Sequence, residues 1–208
     1  PNAYRSNRTA LARQTLQNGK RGLYYAEPKD QGFIDSLAFS VNGKLVKWEI
    51  LNEDTPDVAI VYLPQSLSPG EKIVISTPFH VKLPASFSRM GHIDQRYQIT
   101  QWYPKPAVFD HQGWNPIPYL DQGEFYSEFG SFDVSITVPK NYVVGASGDL
   151  QTESERAWLK NLAAENEQEI NQKKDTSAKA EKVNIKVEVA KAKGKIAKKD
   201  SMPPSSSE

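Results

Sequence analysis

Cysteine is absent from the 208 residues, which excludes disulfides, thiolate catalysis and cysteine-ligated zinc. Long apolar runs are absent too, and nothing approaches the ~18 residues of a membrane span. No one sign of charge prevails: 26 basic and 25 acidic side chains leave a formal net charge of +1. That balance gives no argument for nucleic acid or an anionic membrane as partner. Histidine is scarce, with only His80, His92 and His111. None is followed by Glu and none has a second His four residues on, so the His-Glu-x-x-His pair of a zinc hydrolase is missing. No metal site is therefore expected within this chain. There is no Gly-x-Ser-x-Gly elbow, and Gly145-Ala146-Ser147-Gly148 reads as a tight turn. Glu124, Glu128 and Asp133 lie close in sequence. A glycosidase pair must oppose its carboxyls across a sugar, so these read instead as solvated carboxylates. The opening Pro1-Asn2-Ala3-Tyr4 has no initiator Met, basic segment or apolar core of a signal peptide, and reads as a processed or trimmed terminus.

What is present is β-patterning. Thr9 to Leu16 fits a short helix ended by Asn18-Gly19, and Gly22-Leu23-Tyr24-Tyr25-Ala26 looks like a strand start. Leu37, Phe39 and Val41 alternate with polar or small residues, Asn42-Gly43 follows, and Val46, Trp48 and Ile50 alternate again. Asn-Gly accepts the positive φ angles of a type I′ turn, so a hairpin with one buried face is expected. Val58 to Leu63 is an apolar run of buried-strand length. Ser68-Pro69-Gly70-Glu71 carries turn chemistry, and Lys72 to Leu83 alternates again, with Pro78 suggesting an edge or bulge. Arg96 to Trp102, Phe132 to Val138 and Tyr142 to Gly145 complete at least seven expected strands, with no strong helical period between them. The fold class predicted is all-β and mainly antiparallel, a sandwich or curved sheet over 1–150. Thr152 with Glu155 marks a capping box for a helix over 151–165. Residues 166–208 form a charged linker in which Val183, Ile185, Val187 and Val189 alternate as a strand would, at 183–189.

The unusual stretch is Tyr97 to Phe129. It sets Trp102, Tyr103, Phe109, Trp114, Tyr119, Phe125, Tyr126 and Phe129 among four prolines. Such a loop is either an aromatic platform for glycans or peptides, or a segment pinned to a sheet by its own rings. Residues Tyr97-Gln98-Ile99-Thr100-Gln101-Trp102-Tyr103-Pro104-Lys105-Pro106-Ala107-Val108-Phe109-Asp110 resemble the N-terminal domain of the aminopeptidase N-like zinc metallopeptidases, in a bacterial branch. Gly113-Trp114-Asn115-Pro116, the run from Gln122 to Val134, and Val138-Pro139-Lys140-Asn141-Tyr142-Val143-Val144 extend that resemblance, which covers about residues 1–160.

The resemblance implies a saddle-shaped, largely antiparallel domain that covers one side of an active site. The zinc, its ligands and the general-base Glu would all belong to the following thermolysin-like domain, so no cofactor is expected in this chain. Its partners would be that catalytic domain and a peptide substrate, and its location periplasmic or extracellular. The family's N-terminal domain supplies one Gln or Glu, shortly before an aromatic-Pro segment, that binds the substrate's free α-amino group. Tyr103-Pro104 matches the aromatic-Pro, while Asp110 comes later than the usual spacing. The amide is then Gln101 or Gln98, with Gln101 favoured, against the alternative that both are ordinary strand glutamines. The rival reading is a stand-alone β-sandwich module that uses the aromatic loop for glycans or peptides.

Overall fold

A computed structural model describes residues 1–123 and 126–174 of the chain. These fall into two units, Pro1–Val134 and a second that begins at Ser135. The fold is mostly small antiparallel sheets with one C-terminal helix, and no sheet among the described residues closes into a barrel.

The core of the first unit gathers around its N-terminus. A 3-10 turn (Asn2–Tyr4) leads into helix α1 (Ala10–Gln17). Thr9 caps the helix: its Oγ1 accepts from the Ala12 amide at 3.3 Å and donates to the Ala3 carbonyl at 2.7 Å. One hydroxyl thus satisfies an orphan helix donor and ties the preceding turn to the helix. Asn18-Gly19 ends α1 as the sequence indicates, with Gly19 at φ 80 donating to Leu16 O at 3.0 Å. Tyr4 and Leu11 are each only 1% exposed, and they pack with Ala3, Ala12, Leu23, Met90 and Tyr119. Fully burying a side chain such as Leu11, Leu23 or Met90 stabilises by roughly 1.5–3 kcal/mol. Buried Asn2 stitches distant segments, donating from Nδ2 to Pro56 O at 3.0 Å and accepting from the Ile34 amide at 3.0 Å.

Around this core lie β1 (Phe33–Asp35), β2 (Ser40–Val41), β3 (Lys44–Leu45), β4 (Trp48–Ile50), β5 (Ala59–Val61), β6 (Ile75–Ser76), β7 (His80–Lys82), β8 (Gly91–Ile93), β9 (Arg96–Gln98), β10 (Val108–Asp110) and β11 (Gly113–Asn115). All named pairings are antiparallel: β1 with β7, β4 with β5, β8 with β9, β10 with β11, and the three-stranded order β3-β2-β6. The Asn-Gly turn is there, with Asn42 at φ 48 and Gly43 at φ 80 between β2 and β3, but the hairpin is shorter than expected: its return arm Lys44–Leu45 is exposed, and Trp48–Ile50 pairs with β5 instead. Gly91 is required for space, since a Cβ there would lie 2.7 Å from Ser86 Cα and 2.8 Å from the Ala85 carbonyl oxygen.

Four strand expectations change. Residues 22–25 form turns, because Leu23 drops into the core while Tyr25 stays outside. Val58 to Leu63 does contain β5, yet Ile60, Tyr62 and Leu63 are exposed, and β4 is its only partner strand among the described residues. Phe132 to Val138, which has a strong strand pattern, carries no ladder, and neither does Tyr142 to Gly145. Alternation specifies one side of a pairing, and a strand forms only where a second backbone supplies the other.

In the second unit residues 153–174 are helical and form α2. The Arg156 amide donates to Thr152 O at 3.0 Å, and its guanidinium contacts Glu153 and the Leu150 carbonyl. The strand pattern at 183–189 and the rest of the linker beyond 174 lie outside the described residues. No helix among the described residues is long and apolar enough to cross a membrane.

Candidate functional site

The described residues between Tyr97 and Tyr126 comprise the end of β9, the β10–β11 hairpin and the loops around them. Gln98 closes β9 opposite Gly91 and is exposed, an ordinary position on a strand edge. Gln101 differs. It is exposed and has φ +50, left-handed backbone that costs a residue with a Cβ roughly 1–2 kcal/mol. The flanks hold it there. On one side Thr100 Oγ1 donates to Arg89 O at 3.0 Å. On the other, half-buried Trp102 packs against the core and lies 5.8 Å from Phe79 and 5.3 Å from Tyr103, ring centre to ring centre. Tyr103 continues the contact to Phe132 at 6.0 Å. The result is a polar amide held outward between anchored neighbours.

The β10–β11 hairpin turns one face inward through buried Val108 and leaves Phe109 and Trp114 outside. Those two rings are directly cross-strand, 5.0 Å apart and edge to face, yet 66% and 65% exposed. Asp110 Oδ1 accepts from the Gln112 amide at 2.8 Å and Oδ2 from the Tyr126 hydroxyl at 3.3 Å. The Gln112 amide is the main reason its carboxyl titrates below the ordinary range. Lys105 contacts the Ser127 hydroxyl.

The expected aromatic residues therefore do three different things. Tyr119 belongs to the core, 5.5 Å from Tyr4, and Trp102 and Tyr103 anchor the loop. Trp114 and Tyr126 are on the surface, and Phe125 lies outside the described residues. A carboxylate that sequence reasoning passed over is Asp57, which accepts the Tyr119 amide at 2.6 Å. Burial pushes its pKa upward, against the pull of that amide. In sequence it is one acid in a polar turn, and only its distant partner marks it.

The histidines sit apart, on β7, on β8 and at the β10–β11 turn. His80 Nδ1 lies 3.0 Å from Asp35 Oδ1, and His92 stacks on Tyr97 at 5.7 Å. No group of three His, Cys, Asp or Glu side chains suited to a metal occurs among the described residues. Comparison with known proteins finds no matching family model, curated protein or solved structure.

Proposed function

We propose that this chain is the non-catalytic N-terminal domain of an aminopeptidase N-like zinc peptidase, forming one wall of its peptide-binding cleft in the periplasm or outside the cell. The observation that carries this reading is Gln101: a strained, exposed amide beside the aromatic-Pro segment Tyr103-Pro104, gripped by Thr100 on one side and Trp102 on the other. Strain at an exposed polar residue is a feature of binding sites. Within the resemblance, a substrate ammonium donates an N–H to Gln101 Oε1, while the small antiparallel sheets correspond to part of a saddle-shaped domain. The zinc of such an enzyme belongs to the following thermolysin-like domain. This chain's histidines lie on separate elements and do not supply the ligand pair.

The test is kinetic. In the full-length protein, Gln101→Ala should raise KM for peptides with free N-termini about tenfold, as expected for a hydrogen bond to a charged group. Gln98→Ala should leave KM alone. Unchanged kinetics for Gln101→Ala would reject the residue, and a coding sequence without His-Glu-x-x-His downstream of Glu208 would reject the reading.

The exposed Phe109–Trp114 pair favours one second reading, a stand-alone module that stacks glycans or peptides on that hairpin. Quenching of tryptophan fluorescence by oligosaccharides, lost in Trp114→Ala, would support it.

A further inference from the structure

The chain contains two Asn-Gly pairs, and the structure treats them oppositely. Both offer the same chemistry. The glycine amide nitrogen attacks the asparagine Cγ, the new N–Cγ bond closes a five-membered imide, and the bond from Cγ to the side-chain nitrogen breaks. The side-chain nitrogen leaves as ammonia, the proton lost from the glycine amide accounting for its third hydrogen. Water then opens the imide at either carbonyl to give aspartate or isoaspartate.

At Asn18-Gly19 both the attacking and the leaving nitrogen are restrained. The nucleophile, the Gly19 amide, donates to Leu16 O at 3.0 Å, and the Asn18 amide is held by Gln14 O at 3.0 Å. The leaving nitrogen Nδ2 donates to Asp121 Oδ2 at 3.0 Å, and Lys20 Nζ secures that carboxylate at 2.7 Å.

At Asn42-Gly43 the arrangement is reversed. The pair sits at the exposed tip of the β2–β3 hairpin, at φ 48 and φ 80. Neither the Gly43 amide nor Asn42 Nδ2 has a hydrogen-bond partner among the described residues. The carbonyl is the part that is held: Asn42 Oδ1 accepts from the Val74 amide at 3.0 Å, while the Asn42 amide donates to Val74 O at 2.8 Å. Negative charge builds on Oδ1 as the nitrogen adds to Cγ, and a backbone N–H already aimed at that oxygen stabilises it. Nucleophile and electrophile are adjacent in the chain, so no encounter entropy is lost.

We propose that Asn42 is a built-in deamidation site, with the Val74 amide serving as its oxyanion donor and Asn18 protected by its fold. The product matters to the sheet. Isoaspartate inserts a methylene into the backbone of a two-residue turn and breaks both bonds to Val74, which join β2 to the β6 side of the three-stranded sheet. Plain aspartate keeps the backbone and the acceptor.

The chain is incubated in mildly alkaline buffer, folded and in urea, and both sites are followed by peptide mass and by separation of isoaspartyl peptides. In urea the two sites should react at similar rates, since each asparagine is followed by glycine. Folded, Asn42 should outpace Asn18 by at least about threefold. A folded ratio below that, or a disparity of the same size that persists in urea, overturns the proposal. Hydrogen exchange gives the second readout. The Val74 amide should lose protection in the isoaspartyl form and keep it in Asn42→Asp. Retained protection in the isoaspartyl form would overturn the assignment of the sheet contact.

Discussion

Two regions of the chain carry large apolar side chains and are opposite in outcome. Between Ala3 and Leu23, Tyr4, Leu11 and Leu23 are almost wholly buried. From Phe129 to Val138, Phe129, Phe132, Val134, Ile136 and Val138 are all exposed, Phe132 at 69%. The pattern of the second is the better strand signal, yet it carries no ladder, whereas the first is tied together at every step. Thr9 caps the helix and holds Ala3, Asn2 reaches Pro56 and Ile34, and the Gly32 amide donates to Tyr4 O at 3.1 Å. Apolar residues become a core where backbone groups are satisfied at the same time. The stretch at 129–138 has the side chains of a strand but, among the described residues, lacks the backbone partner.

That contrast can be broken in order of expected effect. Leu11→Ala should cost about 2–5 kcal/mol in urea unfolding, because it leaves a cavity in the closed core. Ile136→Thr, on the exposed stretch, should fall within about ±0.5 kcal/mol. A loss comparable to that of Leu11→Ala would mean that the stretch is covered in solution. Thr9→Ala should cost about 1–2 kcal/mol, since it removes both the cap and the tie to Ala3. Gln101→Gly should raise stability by about 0.5–1 kcal/mol by relieving the left-handed backbone, and a loss instead would show that the conformation is unstrained.

A further effect concerns pH. Lys20 first, and then Asn18, hold the Asp121 carboxyl below its ordinary pKa. A depressed carboxyl stabilises the fold above its unfolded value and loses that contribution as pH falls through the folded one. Asp121→Asn should therefore flatten the fall in stability below about pH 4, with an amplitude of about 0.5–1 kcal/mol at neutral pH. Acid denaturation curves that superimpose would dismiss the pair.

Much of the local structure was legible. The Asn42-Gly43 hairpin follows from one dipeptide, because its positive φ angles are built into the two residues. Helix α1 follows from Thr9 and its stop at Asn18-Gly19. The strands at 132–138 and 142–145 were misread for the complementary reason, that pairing belongs to two segments and a sequence window holds one. The aromatic segment was legible as a region, while the placement of its individual rings was not. Nothing in the spacing separates Tyr119, a core residue, from Trp114, a surface one, because both are aromatic residues in a proline-rich loop.

The sequence by itself determined the absence of disulfides, the Asn-Gly turn, the cap of α1 and the β-rich composition. Each depends on residue identity or on neighbours within one turn of chain. Tertiary structure alone decided that Asp57 would meet Tyr119, that Gln101 would be strained while Gln98 is not, and that Asn18 would be shielded while Asn42 is open. Those outcomes depend on contacts between segments far apart in the chain, where hydrogen bonding and burial are set by what packs alongside.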